Sequence, residues 1–192
     1  MDRRDFFRRG GKKAAQIAGQ LSHAAAATRA DRWIRPPFAV AELDFLVGCT
    51  RCDACIKACP HDVLFSLPEK LGRHAAGTPA MDLPTRGCHM CDGWPCAAAC
   101  EPGVLKVPDP EDPPATVKFA TLRIDEHTCL PYLGPECGAC ASACPVPGAL
   151  TWTDGVRPVI DRDKCTGCAL CREACIVEPK AIRISAVASE AG

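Results

Sequence analysis

The chain has 192 residues with 16 cysteines but only 38 Leu, Ile, Val and Phe, about 20% and the lower edge of what a globular core uses. Alanine and cysteine inflate its 47% hydrophobic fraction, which argues against a large apolar core, and no run approaches the ~20 apolar residues of a membrane-spanning helix. The net charge is zero, yet residues 1–35 hold nine Lys and Arg against three Asp, leaving the rest of the chain at −6. An acidic body on a basic arm is not a nucleic-acid binder, since phosphate contacts need a basic face on the folded part.

Residues 1–33 form a basic leader. Asp2-Arg3-Arg4-Asp5-Phe6-Phe7-Arg8 resembles a twin-arginine export motif, and Ala24-Ala25-Ala26 would suit cleavage. The continuous apolar stretch of an export signal is missing, however. Ala14 to His23 is interrupted by Gln16 and Gln20 and reads as a weakly amphipathic helix. The expectation is a cytoplasmic protein, with periplasmic export as the alternative. A mature N-terminus near Ala27 or Thr28, found by mass spectrometry, would mark export.

Beyond the leader the cysteines fall into four groups of four. The first, Cys49, Cys52, Cys55 and Cys59, is spaced C-x2-C-x2-C-x3-C and followed by Pro60. The second, Cys88, Cys91, Cys96 and Cys100, carries a longer insert, Asp92-Gly93-Trp94-Pro95. The third, Cys129, Cys137, Cys140 and Cys144, has its insert at Leu130 to Glu136. The fourth, Cys165, Cys168, Cys171 and Cys175, returns to the first spacing but has Ile176 in place of proline. C-x2-C-x2-C-x3-C-P is the bacterial spacing for a [4Fe–4S] cluster, and its fourth cysteine ligates the other cluster of a pair. Structural zinc favours two separated C-x2-4-C knuckles. Disulfide frameworks belong to shorter chains and do not repeat a metal-type spacing. Four [4Fe–4S] clusters, held by all sixteen cysteines, is the expectation.

Each group is followed by a turn and an apolar pair: Val63-Leu64, Val104-Leu105, Ala149-Leu150 and Ala181-Ile182. These read as short strands, with Leu122–Ile124 and Val159-Ile160 supplying strands ahead of groups three and four. Ala97–Ala99 and Ala139 to Ala143 suit short helices; residues 66–87 and 106–118 read as loops. The fold class expected is α+β: two bacterial-ferredoxin-like dicluster units with short helices, short strands and long loops. Residues 34–186 carry the clusters, and 187–192 form a tail. His61, His89 and His127 lie beside cysteines but are read as loop residues. Trp94, Tyr132 and Trp152 are read as packing that shields clusters from water. No acid–base pair, nucleophile set or nucleotide loop appears, so the chain is not read as an enzyme.

The stretch Ile34-Arg-Pro-Pro-Phe38, Phe45-Leu46, Cys49-Thr-Arg-Cys-Asp-Ala-Cys55 and the third motif Cys129-Leu-Pro-Tyr-Leu-Gly-Pro-Glu-Cys137 resemble the ferredoxin-type NapF proteins of periplasmic nitrate reductase systems. The second motif, Cys88-His-Met-Cys91 to Trp94-Pro-Cys96 and Cys100, resembles NapG/MauM-type electron-transfer subunits and the four-cluster subunits of molybdenum oxidoreductases. The resemblance implies electron transfer to a respiratory oxidoreductase such as a nitrate-reductase-type system. Its partner would be a reductase catalytic subunit or a quinol-oxidising membrane subunit. The alternative is a cytoplasmic accessory protein that supports cofactor loading of the reductase. The four-cluster relatives further imply that groups one and four pair, as do groups two and three. Carried over, Cys49, Cys52 and Cys55 would share a cluster with Cys175, and Cys165, Cys168 and Cys171 with Cys59. Cys88, Cys91 and Cys96 would join Cys144, and Cys129, Cys137 and Cys140 would join Cys100. One half would then be 45–66 plus 158–186, the other 84–154.

Overall fold

The computed structural model describes residues 33–107 and 117–187. The leader, apart from Trp33, and the tail, apart from Val187, lie outside them. Within the described residues the chain mixes short helices with six short strands, an α+β arrangement. The strands form three antiparallel two-stranded ribbons.

One plan occurs twice. In the first half, β1 (Leu64–Ser66) and β2 (Pro79–Met81) pair with Leu64 opposite Met81. The segments that open and close this half meet in a bridge between Ala39 and Leu105. Val40 N–H donates to Val104 O at 3.0 Å and Lys106 N–H to Phe38 O at 3.0 Å, bracketing that bridge. In the second half, β4 (Leu150–Thr153) and β5 (Arg157–Ile160) make the inner hairpin. There β3 (Ala120–Ile124) and β6 (Ile182–Ala186) close the outside, with Ile124 opposite Ile182. Each half therefore runs outer strand, cysteine group, hairpin, cysteine group, outer strand.

The strands pair differently from the division carried over from the four-cluster relatives. Residues 45–66 are closed against 79–105, not against 158–186, and 84–154 is not a unit. The physical reason is chain connectivity: segments that are neighbours in sequence pair with each other at the least loop-closure cost. The region 66–87, read as loop, contains β2 and a 3-10 turn at Glu69–Leu71. Its Pro79 is compatible with a strand because a two-stranded ribbon has only edges. The alanines of 139–143 form no α-helix but a 3-10 turn at Ala141–Ala143, whereas Ala97 and Ala98 sit in the helix Pro95–Ala98.

The apolar interior is small. Phe45, from the helix Glu42–Gly48, is fully buried and packs with Val63, Leu83 and Leu105; Phe119, Leu122 and Ile182 extend the cluster into the second half. Arg35 ties the entry of the first half together. Its guanidinium meets both Glu42 carboxylate oxygens, at 2.6 and 2.9 Å, and donates to Thr78 Oγ1 and Pro79 O, each at 2.9 Å. It also lies 4.8 Å from the centre of the Phe45 ring. A fork with five donors is what such a shared, half-buried site demands.

Candidate metal centre

All sixteen cysteines are free thiols, and they gather into four quartets. Cys49, Cys52 and Cys55 surround one cavity with Cys100; we label this quartet A. Cys88, Cys91 and Cys96 stand together, with Cys59 beside Cys96, as quartet B. Cys165, Cys168 and Cys171 all face Cys144, as quartet C. Cys129, Cys137 and Cys140 line a second cavity with Cys175, as quartet D. Three thiols thus come from one loop and the fourth from the partner loop of the same half. The exchange is between groups one and two and between groups three and four. Cys175 meets the third group and not the first, Cys59 the second and not the fourth; Cys100 joins the first group and Cys144 the fourth. The thiols therefore gather otherwise than in the cross-pairing implied by the four-cluster relatives.

The loops owe their shape to left-handed residues at matching places. In group one, Arg51 (φ 59°) and Asp53 (φ 59°) flank Cys52; in group four, Gly167 (φ 79°) and Ala169 (φ 66°) flank Cys168. Alternating handedness turns successive backbone N–H groups to one side, forming a concavity suited to anions. The Ala54 N–H lowers the Cys52 thiol pKa, helped by the Thr50 hydroxyl. Thr166 repeats the Thr50 position: its Oγ1 is buried without an aligned partner and lies beside the Cys168 sulfur, where burial raises the thiol pKa and the hydroxyl partly opposes that rise. At Gly167 an added Cβ would stand 2.2 Å from Ala120 O and 2.4 Å from Ala120 N. Gly167→Ala is expected to cost more than about 2 kcal/mol and to lower the iron retained by quartet C, read by thermal melting and iron analysis.

Two aspartates missed by the sequence reading launch the loops of the second half. Asp125 accepts from His127 N–H at 3.1 Å through Oδ1 and from Cys129 N–H at 2.9 Å through its carbonyl. Asp161 repeats this with Asp163 N–H, at 3.0 Å, and Cys165 N–H, at 2.9 Å. The Arg183 guanidinium, 2.7 Å from Asp125 Oδ2, holds that carboxyl below its ordinary pKa. The signal available in the sequence was the repeat Ile-Asp-x-x-x-Cys at 124–129 and 160–165.

Burial pushes the Cys55, Cys88 and Cys171 thiols up to about 12, with neighbouring thiolates adding to the effect; Cys129 rises to about 11 for the same reasons. In the metal-free protein these groups are protonated at neutral pH. A thiolate ligand must lose its proton to bind metal, so iron loading is expected to strengthen as pH rises. The gain is up to about tenfold per pH unit for each proton released; anaerobic iron uptake at pH 7 and pH 8.5 measures it.

The quartets suit a cluster better than a single ion. Among the described residues no three His, Cys, Asp or Glu side chains converge closely enough to hold one metal ion. The thiols of quartets D and A are spread around the walls of open cavities, whereas Zn–S bonds of about 2.3 Å would draw four thiols onto one point. Soft thiolates are the donors that iron–sulfur cores select. His61 and His89 stack at 3.6 Å between ring centres, and Trp94 packs edge-on against Phe38 and Phe119. Tyr132 donates to Pro158 O at 3.0 Å.

Residues 158–179, spanning the fourth group, match the family of 4Fe–4S binding domains. The chain is 38% identical over 161 residues to the methylamine utilization ferredoxin-type protein MauM of Paracoccus denitrificans, covering 80% of this chain and 71% of that one. It is 33% identical over 200 residues to the ferredoxin-type protein NapG of Haemophilus influenzae, covering 95% and 71%. With NapF of Escherichia coli it shares 31% over 152 residues, 78% of this chain and 84% of that protein. The chain belongs to the ferredoxin-type 4Fe–4S family of MauM, NapG and NapF. No solved structure matches it. No helix among the described residues is long and apolar enough to cross a membrane.

Proposed function

We propose that this chain is an electron carrier, without catalysis of its own, that holds four [4Fe–4S] clusters in two ferredoxin-like dicluster halves and serves a respiratory oxidoreductase. The observation that carries this reading is the reciprocal exchange of thiols: Cys100 and Cys59 swap between groups one and two, Cys175 and Cys144 between groups three and four. Cys49, Cys52, Cys55 and Cys100 would hold the first cluster, and Cys88, Cys91, Cys96 and Cys59 the second. Cys165, Cys168, Cys171 and Cys144 would hold the third, and Cys129, Cys137, Cys140 and Cys175 the fourth. A bound cluster supplies a one-electron store.

The chain's own residues do the rest. Three thiols and their loop fix each site, and apolar neighbours such as Ile124, Leu130 and Ile182 around quartet D exclude water. The short helices Ala54–Lys57 and Pro95–Ala98 pack together between quartets A and B. Cys171 lies within reach of Cys140, setting C beside D. Cys88 N–H donates to Cys168 O at 2.7 Å, setting B beside C. These adjacencies support an order A, B, C, D, which suits entry of an electron at one end and exit at the other. The acidic body favours rapid encounter with a basic partner face.

Anaerobic purification with iron and sulfide analysis tests the reading: about four clusters' worth per chain is expected. Rapid reduction of a partner reductase by the reduced protein would support the carrier role. Binding only to a reductase precursor, without electron transfer, would support the accessory role instead.

A further inference from the structure

The two halves meet along a seam that joins quartets B and C. Arg172 Nε donates to Pro84 O at 2.9 Å. Gly87 N–H donates to Glu173 Oε2 at 2.9 Å, and the next residue, Cys88, donates to Cys168 O at 2.7 Å. The last bond runs directly from a residue of quartet B to a residue of quartet C. Gly87 makes the approach possible. A Cβ there would lie 2.6 Å from Leu170 Cδ2 and 2.7 Å from Leu170 Cα. The second of these is backbone, so no rotation of the leucine side chain relieves it.

We propose that Gly87 is a positioning residue that sets the electronic coupling between the two halves, by holding the Cys88–Cys168 contact closed. The inference rests on the four-cluster reading but adds a role for a residue that ligates nothing. One electron crossing the seam oxidises the cluster of quartet B by one and reduces that of quartet C by one, with no bond made or broken and no proton moved. Electron transfer falls exponentially with distance and magnetic coupling between reduced clusters falls steeply as well. A small opening of the seam therefore registers at B and C while leaving the A–B and C–D contacts, internal to each half, untouched.

The test uses the full chain, anaerobically purified and reduced with dithionite. Two variants open the seam differently: Gly87→Ala inserts the clashing carbon, and Glu173→Ala removes the acceptor of the Gly87 N–H without adding bulk. Both are expected to keep the iron and sulfide of the wild type. Both should lose part of the spin–spin broadening in the EPR spectrum of the fully reduced protein, and slow internal electron equilibration severalfold after a substoichiometric pulse of reductant. Should Gly87→Ala shed iron, Glu173→Ala alone decides. Iron content intact with wild-type EPR interactions and wild-type equilibration would overturn the role of Gly87 while leaving the four-cluster reading standing. A wild-type protein without about four clusters of iron would defeat that reading, and this inference with it.

Discussion

Replacing Cys175 with alanine is expected to free Cys129, Cys137 and Cys140 for alkylation while Cys165, Cys168 and Cys171, its own neighbours in sequence, stay protected. The reason is that Cys175 lines the cavity of the third group, carried there by β6, which places Ile182 opposite Ile124 just ahead of Cys129. Cys144→Ala should do the reverse, exposing the group-four thiols that face it. Each variant should lose about one cluster in four, or convert it to a three-iron form, since a cubane needs all its cysteine ligands. Anaerobic alkylation with peptide mapping and iron analysis reads the outcome. Labelling of Cys49, Cys52 and Cys55 in the Cys175 variant would instead restore the cross-pairing of groups one and four.

Stripping the iron with a chelator under anaerobic conditions is expected to unfold the chain rather than leave an empty shell. Among the described residues the large side chains that are completely enclosed are few, with Phe45, Leu83 and Val63 the main ones. Four buried cysteines, Cys49, Cys55, Cys168 and Cys171, sit inside the same apolar cluster. Thiolate metal sites in small domains are worth roughly 10–16 kcal/mol each in the zinc fingers where this has been measured. Whole domains are stable by only about 5–15 kcal/mol, so losing even part of four such sites exceeds the margin. Circular dichroism during chelation should show secondary structure and visible absorption disappearing together. Retention of the ribbons β1–β2, β3–β6 and β4–β5 after complete iron loss would show that the hydrophobic interior suffices.

Much of the chemistry was legible in the sequence because thiol spacing is a local property. C-x2-C-x2-C-x3-C prescribes a tight loop whatever lies elsewhere, and the apolar pairs after groups one, three and four became β1, β4 and β6. Which groups exchange their fourth cysteines was not legible. It depends on which distant strands close together, and the Ala39–Leu105 bridge and the β3–β6 ladder link residues more than sixty apart on average, with no mark in either segment naming its partner. Here an analogy with four-cluster relatives supplied an answer that the hairpin connections contradict. β2 escaped notice because Pro79-Ala-Met81 lacks the β-branched residues that mark strands. Gly87 was invisible as well, since a glycine ahead of a cysteine says nothing about a leucine backbone pressed against it from the far end of the chain.

The plan shared by the two halves has an evolutionary corollary. A segment that begins and ends with mutually paired strands, and contains its own hairpin, is what tandem duplication of a smaller ancestral gene leaves behind. The seam would then be the younger invention, fashioned when two once-separate copies came to lie side by side. Variation among descendants should concentrate in the unequal inserts at Asp92–Pro95 and Leu130–Glu136, while the strands that close each copy drift least.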